Sequence, residues 1–256
     1  MLAHAQSGGA IDRAASSIAE VGDAELIILA APVRQNVALL SDVVSGFRGL
    51  SGVEGSRTPN RPSLITDVGG TKRDIVAAAS SLPAGVTFIG GHPLSGAERG
   101  GFGFARPDLF KGRPWIFTPG QNVQAANMAK LTAFVEGLGA RTQQMAPEVH
   151  DRLMAAVSHV PQLAASALMQ VVGAAAGAEG LKLAGRGLVD TTRLASSPAS
   201  VWQDICGVNA DAIGPTLDAL IERLTDIRRS LDRGEIVAST FEEAARWRAE
   251  LMAGRE

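Results

Sequence analysis

Five short segments, each bounded by turn-forming residues, lie in the first 148 residues, and nothing of that texture follows them. They are LIILA at 26–30, LITD at 64–67, VTFIG at 86–90, PWIFT at 114–118 and the segment 141–145. The first and third are rich in Ile, Leu, Val and Phe, which is how strands buried on both faces read. Stretches of helical spacing separate the five. Val37, Leu40 and Val44 recur at helical intervals within 33–44, and 122–138 reads as a further helix. Between them Thr71, with Asp74 three residues on, opens a helix over 71–81 in the manner of a capping box. Strand and helix in alternation predict an α/β domain with a parallel sheet over residues 1–148.

From 149 onward nearly everything reads as helix, with loops near 184–200 and 207–215. The segment 148–183 is long and Ala-rich, and Pro161, lacking a backbone donor, predicts a kink in it. Ile213, Leu217, Leu220, Ile221, Leu224, Ile227 and Leu231 line one face of a helix over 211–231. Thr240 with Glu243 predicts the cap of a last helix. Residues 149–256 therefore form a second, all-helical domain. Its apolar faces are too extensive for a small monomer surface, so a homodimer is expected.

Composition narrows the function. With 46% apolar and 20% charged residues the chain is globular rather than disordered. A net charge of -2 lacks the basic excess of a nucleic-acid-binding face. One cysteine, Cys206, excludes an internal disulfide and suits a reducing cytoplasm. No run reaches about 18 apolar residues, so no membrane-crossing helix is expected, and Met1 to His4 does not open a signal peptide. No metal-ligand spacing occurs: His150 and His159, nine apart, point to different sides of a straight helix.

His92 stands in GGHPLSG, just past the carboxyl end of the third strand, the edge at which open α/β sheets bind ligands. The flanking glycines would let the backbone approach a ligand closely. Position alone weighs this equally against a turn histidine bonded to a carbonyl. In DVGGTK at 67–72 the Gly69-Gly70 turn enters a helix and could offer amides to an anion. The plainer alternative is a tight turn with Thr71 as the N-cap. Arg193 follows Asp190-Thr191-Thr192 in a loop between helices, and a guanidinium is a natural carboxylate partner; a solvated loop arginine is the alternative.

Taken together, the motifs resemble the prephenate/arogenate dehydrogenase family of tyrosine biosynthesis. The resemblance runs through Ala30-Ala31-Pro32-Val33, DVGGTK, GGHPLSGAERGG at 90–101 and LFKGRPWIFTP at 109–119. It continues through the His150-Asp151 pair, Ser158-His159-Val160-Pro161, Asp190-Thr191-Thr192-Arg193, Ser197-Pro198 and Trp202. It implies a Rossmann-type domain followed by a helical dimerisation domain. It also implies an NAD(P)-dependent oxidoreductase in which hydride leaves the carbon bearing a ring hydroxyl while the ring carboxylate departs as CO₂. On that resemblance His92 is the catalytic hydrogen-bond acceptor. Arg193 binds a substrate carboxylate, and His159, Gln162, Glu98 and Trp202 complete the substrate side. Ala31, Pro32, Asp67, Gly69 and Gly70 face the cofactor.

Three departures follow. The family frequently has Ser where this chain has Gly70, so Thr71 is the hydroxyl left to assist His92. A second family histidine is Gln162 here. No Gly-x-Gly-x-x-Gly opens the first domain, so the pyrophosphate site and ribose selector are missing and NAD or NADP binding is expected to be weak. Two origins are compatible with that gap: a true start upstream of Met1, which the preserved catalytic positions favour, or a shortened relative. The latter would bind an aromatic-pathway metabolite or dimerise with a full-length partner without catalysis.

Overall fold

The computed structural model describes residues 2–17, 20, 24–48, 64–95, 101–232 and 235–254; Glu98 and the loop at 52–63 lie outside them. By packing the chain forms two compact units, Met1–Ala210 and Asp211–Glu256. The first unit carries α1 (Leu2–Ser7), β1 (Leu26–Leu29), α2 (Val33–Arg48), β2 (Leu64–Asp67), α3 (Arg73–Ala79) and β3 (Thr87–Pro93). Next come β4 (Pro114–Pro119), α4 (Ala125–Gly137), β5 (Arg141–Gln144), α5 (Pro147–Met154), α6 (Val160–Leu181), α7 (Arg186–Thr191) and α8 (Ala199–Val208). Helices α9 (Ala210–Arg229) and α10 (Glu235–Ala253) follow. Within the first unit α5 packs on α3 and β4.

The five strands lie in chain order, β1-β2-β3-β4-β5. The sheet is mixed rather than wholly parallel. β1, β2 and β3 run together, β4 is antiparallel to β3, and β5 is parallel to β4. The reason lies in the connections. A parallel neighbour needs a crossover of about a dozen residues or more, usually helical, and α2, α3 and α4 supply three. Between β3 and β4 the described residues offer only a short 3₁₀ turn, Phe102–Phe104, so the chain doubles back beside itself.

Alternate residues of each strand enter opposite cores, as the two-residue period of a strand requires. Leu29, Ile65 and Phe88 pack with Leu40, Val43 and Ile75 from α2 and α3. Leu64, Ile89, Trp115 and Phe117 pack with Leu131 and Val135 from α4 on the other side. The result is a helix–sheet–helix sandwich, and it explains why the strand signal is continuous rather than alternating. Each such side chain is worth about 1.5–3 kcal/mol on burial, enough to fix the register of a four-residue strand.

Three local expectations are corrected. β3 runs on to Pro93, so His92 sits within a strand, paired opposite Ile116 of β4, and not in a turn beyond it. Gly90 and Gly91 serve the sheet: a Cβ at Gly90 would lie 2.2 Å from Thr118 Oγ1, and one at Gly91 2.5 Å from the Asp67 carbonyl. Their small size lets β3 lie against β2 and β4, rather than admitting a ligand. Thr240 does not open the last helix, because Glu235–Ser239 already continue it.

The segment 184–200 holds a short helix and a 3₁₀ turn (Arg193–Ser196), and 207–215 is almost wholly helical. The helix from Pro147 to Leu181 is continuous across Pro161. A π turn, Ala155–His159, with i→i+5 bonding lies just ahead of the proline, whose missing N–H it accommodates. Gly177, at φ 61° and ψ 179°, breaks the helical path near its end. On length and composition these 35 residues could cross a membrane, which the count of uninterrupted apolar residues did not anticipate. The polar residues His150, Asp151, His159 and Gln162 on it are buried, while Val157 and Val171 are exposed. In the second unit α9 and α10 also leave Ile221, Leu224, Phe241 and Trp247 exposed.

Candidate active site

The carboxyl end of β2 is built around a carboxylate. Asp67 Oδ2 accepts the Gly69 amide at 2.8 Å and the Lys72 ammonium, while Oδ1 accepts the Gly91 amide at 3.0 Å. Lys72 is fully buried, and stranding its charge would cost several kcal/mol without such a partner. Burial depresses the Lys72 pKa, and the charge and hydrogen bond of Asp67 oppose it. Both oxygens of Asp67 are thus engaged within the protein. Asp67 holds the Gly69-Gly70 turn and ties that turn to β3.

The helix after the turn is not capped by Thr71. The amides of Lys72 and Arg73 donate instead to Asp151, Oδ1 at 2.7 Å and Oδ2 at 3.0 Å, so α3 is capped from 78–79 residues away by a carboxylate on α5. A charge there also suits the helix dipole. Thr71 Oγ1 is left buried with no partner among the described residues.

Asp151 is also the end of a line. His150 Nδ1 lies 2.7 Å from Asp151 Oδ1, and His92 Nδ1 lies 2.9 Å from His150 Nε2. His150 is fully buried and Asp151 nearly so. Burial works to raise the Asp151 pKa. The His150 hydrogen bond and the Arg73 and Lys72 amides outweigh it and hold the carboxyl below its ordinary range. His92 is pushed well below the usual histidine value, first by burial and then by His150, Lys72 and His159, with Asp151 opposing. It therefore stays neutral. An added Cβ on Gly70 would lie 4.0 Å from His92 Nε2, so that nitrogen faces the glycine turn.

A second branch starts from the same carboxylate. Arg73 Nε donates to Asp151 Oδ2 at 3.3 Å and Arg73 Nη2 to Asn209 Oδ1 at 3.0 Å. Asn209 Nδ2 donates to the Asp151 carbonyl at 2.9 Å and lies 3.2 Å from His159 Nδ1. The His159 ring meets Trp202 edge-on, centroids 5.9 Å apart. Its pKa is lowered to about 4, chiefly by burial. The two histidines expected on opposite sides of one helix thus meet a common centre. The wider π turn between them cuts the half-turn offset that nine residues of straight α-helix impose to about a quarter turn.

Gln162 is held by neighbouring protein groups. Its Nε2 donates to the Leu194 carbonyl at 2.7 Å and its Oε1 accepts the Ser197 hydroxyl at 3.1 Å. Gln162 therefore pins the 3₁₀ turn that carries Arg193, whose side chain is exposed. On the cofactor side, Ala31 N donates to Asn36 Oδ1 at 2.9 Å, while buried Asn36 Nδ2 has no partner among the described residues. A Cβ on Gly69 would lie 3.7 Å from that donor. Ala31, Gly69 and Asn36 thus make a small cradle with one unspent donor, which fits the carboxamide or ribose end of a nicotinamide dinucleotide. Pro32, next in the loop, is exposed.

Sequence reasoning missed Asn36 and Asn209 and gave His150 and Asp151 no role. No His, Cys, Asp or Glu group suited to a metal occurs among the described residues. A cleft of about 980 Å³ shares no lining residue with this cluster, and Glu148 is its only ionisable one.

The comparisons agree along the chain. The family described as prephenate dehydrogenase, nucleotide-binding domain, matches residues 2–144, and prephenate dehydrogenase, dimerization domain, matches residues 146–243. A prephenate dehydrogenase of Bacillus subtilis is 33% identical over 225 residues, which are 87% of this chain and 58% of that protein. A cyclohexadienyl dehydrogenase of Zymomonas mobilis is 27% identical over 239 residues, 90% of this chain and 76% of that one. The crystal structure of prephenate dehydrogenase from A. aeolicus in complex with hydroxyphenyl propionate and NAD+ is similar with a TM-score of 0.83 at 25% identity, covering 97% of this chain and 85% of the other. The chain spans 58% of the length of the Bacillus relative.

Proposed function

Because the chain belongs to the prephenate dehydrogenase family, we propose that it performs the NAD(P)-dependent oxidative decarboxylation of prephenate or arogenate in tyrosine biosynthesis, in the cytoplasm. The observation that carries the reading is the line Asp151–His150–His92, which ends on a neutral imidazole nitrogen facing the glycine turn. The ring hydroxyl of the substrate would donate to His92, which drains proton density as carbonyl character develops at the reacting carbon. Thr71 is the nearest candidate for a second hydroxyl contact. Arg193 would hold a substrate carboxylate, and Glu98, His159 and Trp202 would shape the remainder. Ala31, Pro32, Gly69 and Gly70 would hold the dinucleotide, which when bound would supply the hydride acceptor. Loss of the ring carboxylate as CO₂ leaves the ring aromatic.

These 256 residues would bind the dinucleotide weakly, since no Gly-x-Gly-x-x-Gly supplies helix amides to its pyrophosphate. Titration of the chain with NAD⁺ and NADP⁺ by calorimetry, followed by prephenate or arogenate while reduced nicotinamide is recorded, tests both statements. Turnover only at high dinucleotide concentration is expected. Micromolar affinity would refute the weak-binding statement. Aromatic-ligand binding without turnover at saturating dinucleotide would refute the activity and favour a metabolite-binding relative.

The chain would also act as a homodimer. Val157, Leu168 and Val171 leave an apolar stripe along Pro147–Leu181 within the region matching the dimerization domain, and a second copy would cover it. Sedimentation at micromolar concentration should show a dimer; monomer alone would refute this.

A further inference from the structure

The geometry points to one buried network, anchored on Asp151 and closed by His150 and Asn209, that sets the two site histidines in opposite tautomers: His92 with a bare Nε2 and His159 with its proton on Nε2. This deepens the proposed function, on which the substrate roles rest, and makes His150, Asp151 and Asn209 positioning residues.

The amides of Lys72 and Arg73 can only donate, so both oxygens of Asp151 are acceptors. His150 Nδ1, 2.7 Å from Oδ1, must then carry its proton there. The network as proposed keeps His150 uncharged, so its Nε2 is bare and His92 Nδ1, 2.9 Å away, donates to it; a charged His150 would donate instead and leave the His92 proton on Nε2. Donation to uncharged His150 consumes the one proton of a neutral His92 ring and leaves Nε2 as a lone pair. The other branch is fixed by a guanidinium. Arg73 Nη2 can only donate, so the Asn209 atom 3.0 Å from it is the amide oxygen, and this removes the ambiguity of amide orientation. The two Asn209 N–H bonds then go to the Asp151 carbonyl and to His159 Nδ1. His159 accepts on Nδ1, so its own proton sits on Nε2.

One carboxylate therefore yields an acceptor and a donor. Among the described residues neither His92 Nε2 nor His159 Nε2 has a protein partner. A ligand matched to this pair offers a hydroxyl proton to His92 and an oxygen lone pair, from a carboxylate or carbonyl, to His159. Molecules with the two functions exchanged would meet two mismatched partners, leaving polar groups unpaired at both ends.

Nitrogen-15 correlation spectra of the histidine rings in the whole chain decide this without any turnover. The four histidines are assigned by single substitution. His92 should show a protonated Nδ1 and bare Nε2, and His159 the reverse. In His150→Phe the His92 signals should move toward an average of both tautomers while His159 is unchanged. In Asn209→Asp, which puts an acceptor where a donor stood, His159 should switch to a protonated Nδ1. A wild-type spectrum with His92 protonated on Nε2, or with both rings in one tautomer, overturns the inference even if both variants fail to fold. Opposite tautomers in a protein that never turns over prephenate or arogenate would sustain the inference and refute the activity.

Discussion

His92→Asn is expected to lower turnover by about 10²–10⁴-fold, the range a positioned general base contributes, with substrate binding little changed. Asparagine keeps a polar group of similar reach. It cannot reproduce a lone pair backed by His150 and Asp151, whose line terminates on the His92 ring. Arg193→Ala should do the reverse. It removes a charge-assisted partner worth about 1.5–3 kcal/mol and so chiefly raises the substrate dissociation constant. Steady-state kinetics at saturating dinucleotide, paired with equilibrium binding of a product analogue, separate the two. If His92→Asn weakened binding and Arg193→Ala spared it, the two role assignments would be exchanged.

The second large effect is on stability. Asp151→Ala is expected to cost about 3–5 kcal/mol, since it strands the Lys72 and Arg73 amides and the His150 Nδ1 donor in a buried place. Asp151→Asn should cost less, because one oxygen still accepts. Urea unfolding at constant m-value reads the difference. The acid limb gives a further check. The folded pKa of Asp151 lies below the ordinary aspartate value. Its contribution is therefore present in full above that value and is lost as pH falls through the lower folded one. Wild type should lose stability along that limb and Asp151→Ala should not. A deficit of less than about 1 kcal/mol, against the 1–3 kcal/mol typical of one stranded donor, would remove Asp151 from the centre of the network.

Much of the sheet was legible in the residues alone. Four of the five strands begin and end within a residue or so of their apolar or turn-bounded segments; β1 and β2 do so because their side chains feed the two cores and their hydrophobicity is local, whereas polar β5 is bounded by its turns. The reversal of β4 was not, since direction depends on what the connection contains and not on the strand. The site divides in the same way. His92 is readable from its place after an apolar run. Asn209, by contrast, reaches Arg73 across 136 positions, and the Asp151 cap on α3 spans 79. Nothing near Thr71 announces that a carboxylate on another helix takes the amides a local cap would have served. The bonds of Asp67 to Lys72, Gly69 and Gly91, and of Gln162 to Leu194 and Ser197, were equally illegible, because residue type does not say which partners the fold supplies.

The π turn at Ala155–His159 behaves as a phase element. A substitution within it changes a side chain; an inserted residue changes where every later residue of the helix points. Val157 is 66% exposed, so its identity matters little to the core. Its removal would return the segment to ordinary α-helical pitch and leave the downstream helix facing nearly as it does now, because the wide turn already holds one residue beyond the α-helical count. One residue more would swing that helix by about 100°. His159 would then lose Asn209, and Gln162 its grip on Leu194, although neither residue had been altered. What this stretch encodes is a count. It should accept many residue types and one residue fewer, and refuse one more.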